Sequence, residues 1–296
     1  MCKRLAFVSA VSGLLASLAF AADDVPKLIA DLKSQDVNTR RDAATKLGQM
    51  GPAARPAVTA LVENLTDRDK QAWSNAMGAL ALIGPGAVEA IPALTECLDG
   101  SASDGRGGRD GEQMTFRAAY ALSQIGKPAV PALIKILENG DNNSRAGAAM
   151  ALGGMGADAV EAIPALVSNL GHENEDIRQA SANGLGGIGP FAVPKLIDAL
   201  GSNEPRQRAA TATALGAIGK GAQSAAPKLI EQIQREENAE AKAMELLALP
   251  RLKPDNAAAV SIYIAALKDA QEPIRSSGIN GVLLARDAFD QSIPAL

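Results

Sequence analysis

Pro26-Lys27-Leu28-Ile29-Ala30-Asp31-Leu32 leads through the polar Ser34-Gln35-Asp36 into Arg40-Arg41-Asp42-Ala43-Ala44-Thr45-Lys46-Leu47-Gly48-Gln49-Met50-Gly51. Variants of this stretch return along the chain about every 30 to 33 residues, a period that marks a solenoid whose units bury their apolar faces only by stacking on neighbours. Pro26, Pro92, Pro131, Pro164, Pro194 and Pro227 open units, and Thr59 takes that place in the second. The closing glycine follows after 25 residues in five units, at Gly51, Gly84, Gly156, Gly189 and Gly219. In the third unit Gly126 comes nine residues late, and the insert is the low-complexity stretch from Asp99 to Glu112.

Within each unit the apolar spacing is helical. Leu28, Ile29 and Leu32, like Leu133, Ile134 and Leu137 or Leu196, Ile197 and Leu200, form one stripe on a short first helix. Proline suits the first turn of that helix, where its missing N–H leaves no bond unmade. A polar turn precedes a second stripe, Ala43, Leu47 and Met50 or Ala148, Leu152 and Met155. The closing glycine stops the second helix by adopting a left-handed conformation. No segment alternates with period two over a strand's length, so the expected class is all-α: a right-handed α-solenoid of about eight stacked helical hairpins.

The chain resembles a HEAT-repeat protein, specifically the short variety called PBS-lyase HEAT-like repeats. That resemblance rests on Asp36-Val37-Asn38-Thr39-Arg40 with Ala43-Ala44 and Leu47-Gly48-Gln49-Met50-Gly51. It recurs at Asp176-Ile177-Arg178 with Leu185-Gly186-Gly187-Ile188-Gly189, and at Arg208 with Leu215-Gly216-Ala217-Ile218-Gly219. It is strong over residues 25–225 and degenerate over 226–296, where Leu249 and Leu252 are read as replacing the glycines of the seventh unit and Arg286 that of the eighth. It implies a protein-binding scaffold. It also implies that Arg40, Arg145, Arg178, Arg208 and Arg275 form a structural ladder paired with the turn aspartates Asp36, Asp141 and Asp176.

Residues 1–21 read as a secretory signal: Lys3 and Arg4, an apolar run from Leu5 to Leu18, and the cleavage site Ala19-Phe20-Ala21. The HEAT-like solenoid then occupies 22–296, secreted or periplasmic and without stable membrane insertion. Cys2 leaves with the signal, and Cys97 alone forms no internal disulfide; beside Leu98 it reads as a small core residue. The 29 basic and 33 acidic side chains, less Lys3 and Arg4, leave a formal net charge of about −6. That balance, with 3% aromatics, argues against nucleic acid as partner.

No catalytic constellation or cofactor site is visible. His172, the one histidine, lies among Glu173, Glu175 and Asp176 and reads as a solvated turn, a poor ligand set for a metal. Some HEAT-like proteins resemble deoxyhypusine hydroxylase, whose di-iron site needs several His-Glu pairs; one histidine cannot supply them. The glycine-rich insert has oxygen side chains at Asp99, Ser101 and Ser103, but Asp104 stands where a calcium loop needs glycine. It reads as a loop between the helices of unit three.

The expected function is an exported, non-enzymatic scaffold for an unknown protein partner, engaged by the second-helix face and the turn edge. Its candidate contacts are Trp73, Arg117, Tyr120, Met150 and Asn183. Trp73 stands at the ladder position of unit two and reads equally as a partner anchor or as a core-filling or capping residue near the N-terminal end. The alternatives are a bilin lyase-like or chaperone role, as in PBS-lyase relatives, or a piece of a larger exported protein. Pro294-Ala295-Leu296 looks like the start of a ninth unit.

Overall fold

Polar turns and closing glycines fall where the chain reverses. In the computed structural model, which describes residues 24–99, 109–253 and 256–284, sixteen α-helices pair as hairpins, the second helix longer than the first in the first six, with no strand among the described residues. The signal segment, the insert over 100–108, Arg286 and the Pro294 motif lie outside the described residues. Contacts divide the chain into two compact units, Met1–Ala129 and Val130–Leu296.

The first unit holds three hairpins. They are α1 (Val25–Asp31) with α2 (Val37–Met50), α3 (Val58–Glu63) with α4 (Lys70–Ile83), and α5 (Ile91–Leu98) with α6 (Arg109–Ile125). The second holds five: α7 (Val130–Asn139) with α8 (Asn142–Met155), α9 (Ile163–Asn169) with α10 (Glu175–Ile188), α11 (Val193–Ala199) with α12 (Pro205–Ile218), α13 (Ala226–Arg235) with α14 (Ala239–Ala248), and α15 (Asn256–Leu267) with α16 (Glu272–Leu284). Long helix packs on long helix, α2 on α4 on α6 in the first unit and α8 through α16 in the second. The leucine four residues before each closing glycine is buried. Leu47, Leu80 and Leu122 are buried in one unit, and Leu152, Leu185 and Leu215 in the other.

Opening prolines sit in the first turn of their helices, as at Pro26, Pro92, Pro164, Pro194 and Pro227. Polar side chains cap the long helices. Asp36 accepts from the Thr39 N–H at 2.9 Å, Asp141 from Ser144 at 2.8 Å and Asn174 from Asp176 at 2.8 Å, satisfying donors the helix leaves open. The hydrogen bonds from Thr39, side chain then backbone, hold the Asp36 carboxyl below its usual range, and Ser144 does the same to Asp141.

The closing glycines all have positive φ, and Gly51, Gly84, Gly156, Gly189 and Gly219 do not take the left-handed helical conformation that their position predicts. Gly51 has φ 55° and ψ −132°, Gly189 φ 79° and ψ −145°. This is the mirror image of extended backbone, open to glycine and closed to residues with a Cβ. No atom lies within 4 Å of a Cβ built on Gly189, so the cost of adding one there is purely conformational. Gly189→Ala should lower stability by about 2 kcal/mol without a packing defect, read from urea unfolding; an unchanged midpoint would place the constraint elsewhere.

The seventh hairpin departs from the rule. Counted from its cap Asn238, Leu249 keeps the buried leucine place and is not a glycine substitute. Pro250 holds the place of the first glycine, so α14 stops at Ala248 and a 3₁₀ turn, Leu249–Leu252, carries the chain onward. Lys253 takes the closing place with φ 51° and ψ 61°, a true left-handed conformation.

Candidate functional site

Cutting out the insert leaves α6 longer than its sequence pattern suggests. The helix begins at Arg109, so Arg109–Glu112 belong to it and not to the loop. On its outer face Phe116 and Tyr120 stand one turn apart, 60% and 53% exposed, with Arg117 between them in sequence and also exposed. Together with Glu112 and Gln113 they line one surface depression. In α4, which packs on α6, Leu82 is exposed as well. The patch sets apolar surface beside charged and amide groups on a helix packed against α4. Phe116 has no counterpart among the sequence candidates.

Trp73 is not on this face. Its side chain is 2% exposed, inside the first unit, so of its two readings the core role is the one observed. In the second unit Met150 is 40% exposed on α8, and Asn183 is exposed on α10, where its Oδ1 accepts from the Gln179 side chain at 3.0 Å. Arg117 and Tyr120 share α6; Met150 and Asn183 occupy matching register places on packed helices.

The arginine ladder exists, with different partners. The recurring acceptors are backbone carbonyls five to seven residues earlier. Arg40 donates to the carbonyls of Ser34 and Gln35, Arg145 to Gly140 and Glu138, Arg178 to His172 and Glu173, Arg208 to Ser202, and Arg275 to Asp269 and Ala270. Each guanidinium thus holds its own turn shut. Asp36 and Asp141 are occupied as helix caps. Asp176 sits in the first turn of α10, where a carboxylate faces the positive helix end. Carboxylates join at two places, both from the following hairpin. Arg40 grips Asp67 through Nε at 2.6 Å and Nη2 at 3.0 Å, and Arg208 grips both oxygens of Glu236. The Arg40 hydrogen bonds lead in holding Asp67 below the usual carboxylate range. Arg41 adds a bidentate pair with Asp69, whose carboxyl is lowered to about 2 chiefly by that hydrogen bond.

His172 serves its turn: its Nδ1 accepts from the Asn174 N–H at 3.0 Å, and its carbonyl from Arg178. Among the described residues no three His, Cys, Asp or Glu side chains gather as a metal would need. Cys97 is buried in α5.

A family model of HEAT repeats matches residues 25–108, 112–186 and 163–250. No curated protein matches the chain. Among solved structures it is similar to an engineered protein at 21% identity and TM-score 0.38, covering 90% of this chain and 82% of that one. It is also similar to human deoxyhypusine hydroxylase in complex with glycerol, at 18% identity and TM-score 0.36, covering 91% of this chain and 98% of that one. A third likeness is to Kap121p bound to Nup53p, at 13% identity and TM-score 0.47, where 90% of this chain spans 38% of that one. With family repeats over most of its length and hairpins at the matching positions, the chain belongs to the HEAT-repeat family.

Proposed function

We propose that this HEAT-repeat chain is an exported, non-enzymatic scaffold that binds a protein partner through the outer face of α6. The observation that carries the reading is the exposure of Phe116 and Tyr120 on a well-packed helix, in a chain with 3% aromatic residues. Aromatics that could be buried but stand in water are costly surface unless a partner covers them, and they dominate binding energy when one does. Arg117, Glu112 and Gln113 supply polar groups around the aromatic pair. The amino-terminal segment, with its basic start and Ala19-Phe20-Ala21, supports the export half of the reading.

The test is a double variant, Phe116→Ser with Tyr120→Ser, on the full chain. Both side chains face solvent, so stability should change by no more than about 0.5 kcal/mol. Capture of proteins from the periplasmic fraction of the source cell should fall at least tenfold for one specific band, as expected when hot-spot residues are lost. An unchanged capture profile would remove α6 from the binding surface. Capture that survives in a cytoplasmic fraction alone would count against export.

A further inference from the structure

Glu245 lies in the interior of the second unit. Measured from the ladder position, it stands at the core register that Ala148, Ser181, Thr211 and Gly278 hold in the other hairpins of this unit. Its side chain is fully buried, and neither carboxyl oxygen has a hydrogen-bonding partner. The charged and polar groups around it come from three elements. Arg208 reaches in from α12, Gln232 from α13, and Glu236 from the turn before α14; Lys242 is the neighbour on α14 itself. Of the other elements packed against α14, α16 buries Ile274, Ser277 and Gly278 and the turn after α14 buries Leu249 and Leu252, while their arginines are turned elsewhere, Arg275 to the carbonyls of its own turn and Arg251 exposed.

The side-chain donors of Arg208 and Gln232 in this cluster are bonded to Glu236 or to backbone. Arg208 donates Nε and Nη2 to the two oxygens of Glu236 and Nη1 to the Ser202 carbonyl. Gln232 Nε2 donates to Glu236 at 3.0 Å, while Gln232 Oε1 accepts from Arg235 at 2.7 Å. Glu236 also accepts from the Asn238 N–H at 2.9 Å. One guanidinium therefore serves two buried carboxyl groups, and its bonds go to Glu236. This cluster joins α12 to the hairpin of α13 and α14.

We propose that Glu245 is a proton-operated latch: its neutral carboxyl lets α14 stay seated on α12, and loss of the proton loosens the α13–α14 hairpin locally. A carboxylate here would be buried beside the negative Glu236, with the nearest donors, Arg208 and the Gln232 amide, already bonded to Glu236, a combination that costs far more than a neutral acid. Burial, aided by the Glu236 carboxylate, pushes Glu245 up to about 8 from an ordinary 4.5, against the smaller opposing pulls of Arg208, the Gln232 amide and Lys242. The folded state then holds a proton that the unfolded state releases. Stability is full below about pH 4.5, falls progressively as pH rises toward 8, and levels off beyond it. Because the strain sits at one register of one hairpin, the opening it drives should be local.

Hydrogen exchange on the full chain at pH 6 and pH 8, corrected for the intrinsic rate, tests this. The opening constant of α14 should rise about 50-fold over that interval, while α8 and α10 stay unchanged. Glu245→Gln keeps the shape and cannot titrate, so its α14 should show no rise. Should that variant fail to fold, Glu245→Ala restores a residue type the register already accepts at Ala148, and the same flat response is expected. A wild-type response that is flat, or equal in all helices, or retained by the variant that folds, overturns the latch.

Discussion

Trp73→Ala should destabilise the first unit by about 3–5 kcal/mol, the range for removing a large aromatic from a packed core. The indole is 2% exposed and lies on α4, the middle of the three long helices of that unit, so its removal leaves a cavity inside the unit. It is among the largest fully buried side chains, beside Leu47, Leu61, Met77 and Leu80. As the chain's one tryptophan it also reports on itself: its emission should be that of a dry interior and shift red only when the first unit opens. Urea titration of the variant, followed by circular dichroism, should show an earlier transition for part of the helix signal. Trp73→Phe should retain most of the stability. A variant of unchanged midpoint that loses partner capture would return Trp73 to the surface.

The indole's position explains why it reads ambiguously. It occupies the ladder place, where other hairpins put an arginine whose guanidinium reaches back to its own turn. In this hairpin the turn carboxylate Asp67 is already held by Arg40 of the preceding one. Spacing locates such a position but does not tell whether a side chain there curls back over the turn or fills the layer beneath it.

The regular features were legible for a physical reason: they repeat. Helical spacing of leucines, first-turn prolines and closing glycines each recur often enough to fix register, and the hairpins and the HEAT family follow. The ladder was visible as arginines but not as bonds, because its acceptors are carbonyls and carbonyls have no sequence signature. Phe116 was hidden by the insert, since the start of α6 at Arg109 sets which face carries it. Glu245 was hidden by Pro250 and Lys253, which displace the motif's glycines; counting from the cap Asn238 instead would have placed a carboxyl on the alanine register.

Gly187→Ala should cost about 3 kcal/mol, near the upper end for overpacking a close-packed interior. A Cβ on Gly187 would strike the carbonyl oxygen of Gly153 and lie 2.8–2.9 Å from its carbonyl carbon and Cα. The same contact seen from other sides gives 2.8 Å between a Cβ on Gly153 and the Gly184 Cα, and 2.7 Å between a Cβ on Gly184 and the Ala149 oxygen. The atoms in the way are backbone, so no side chain can rotate to make room; α8 and α10 would have to separate. Helix propensity works in the opposite direction, since alanine in a helix interior is favoured over glycine by about 0.5–1 kcal/mol. Gly78→Ala isolates that term, because α4 leaves nothing within 4 Å of the new methyl. Gly78→Ala should therefore raise the unfolding midpoint and Gly187→Ala lower it, though both make the same chemical change in a long helix. Equal shifts of one sign would mean that α8 and α10 are not in backbone contact, and that the glycines of the second helices reflect composition and not close approach.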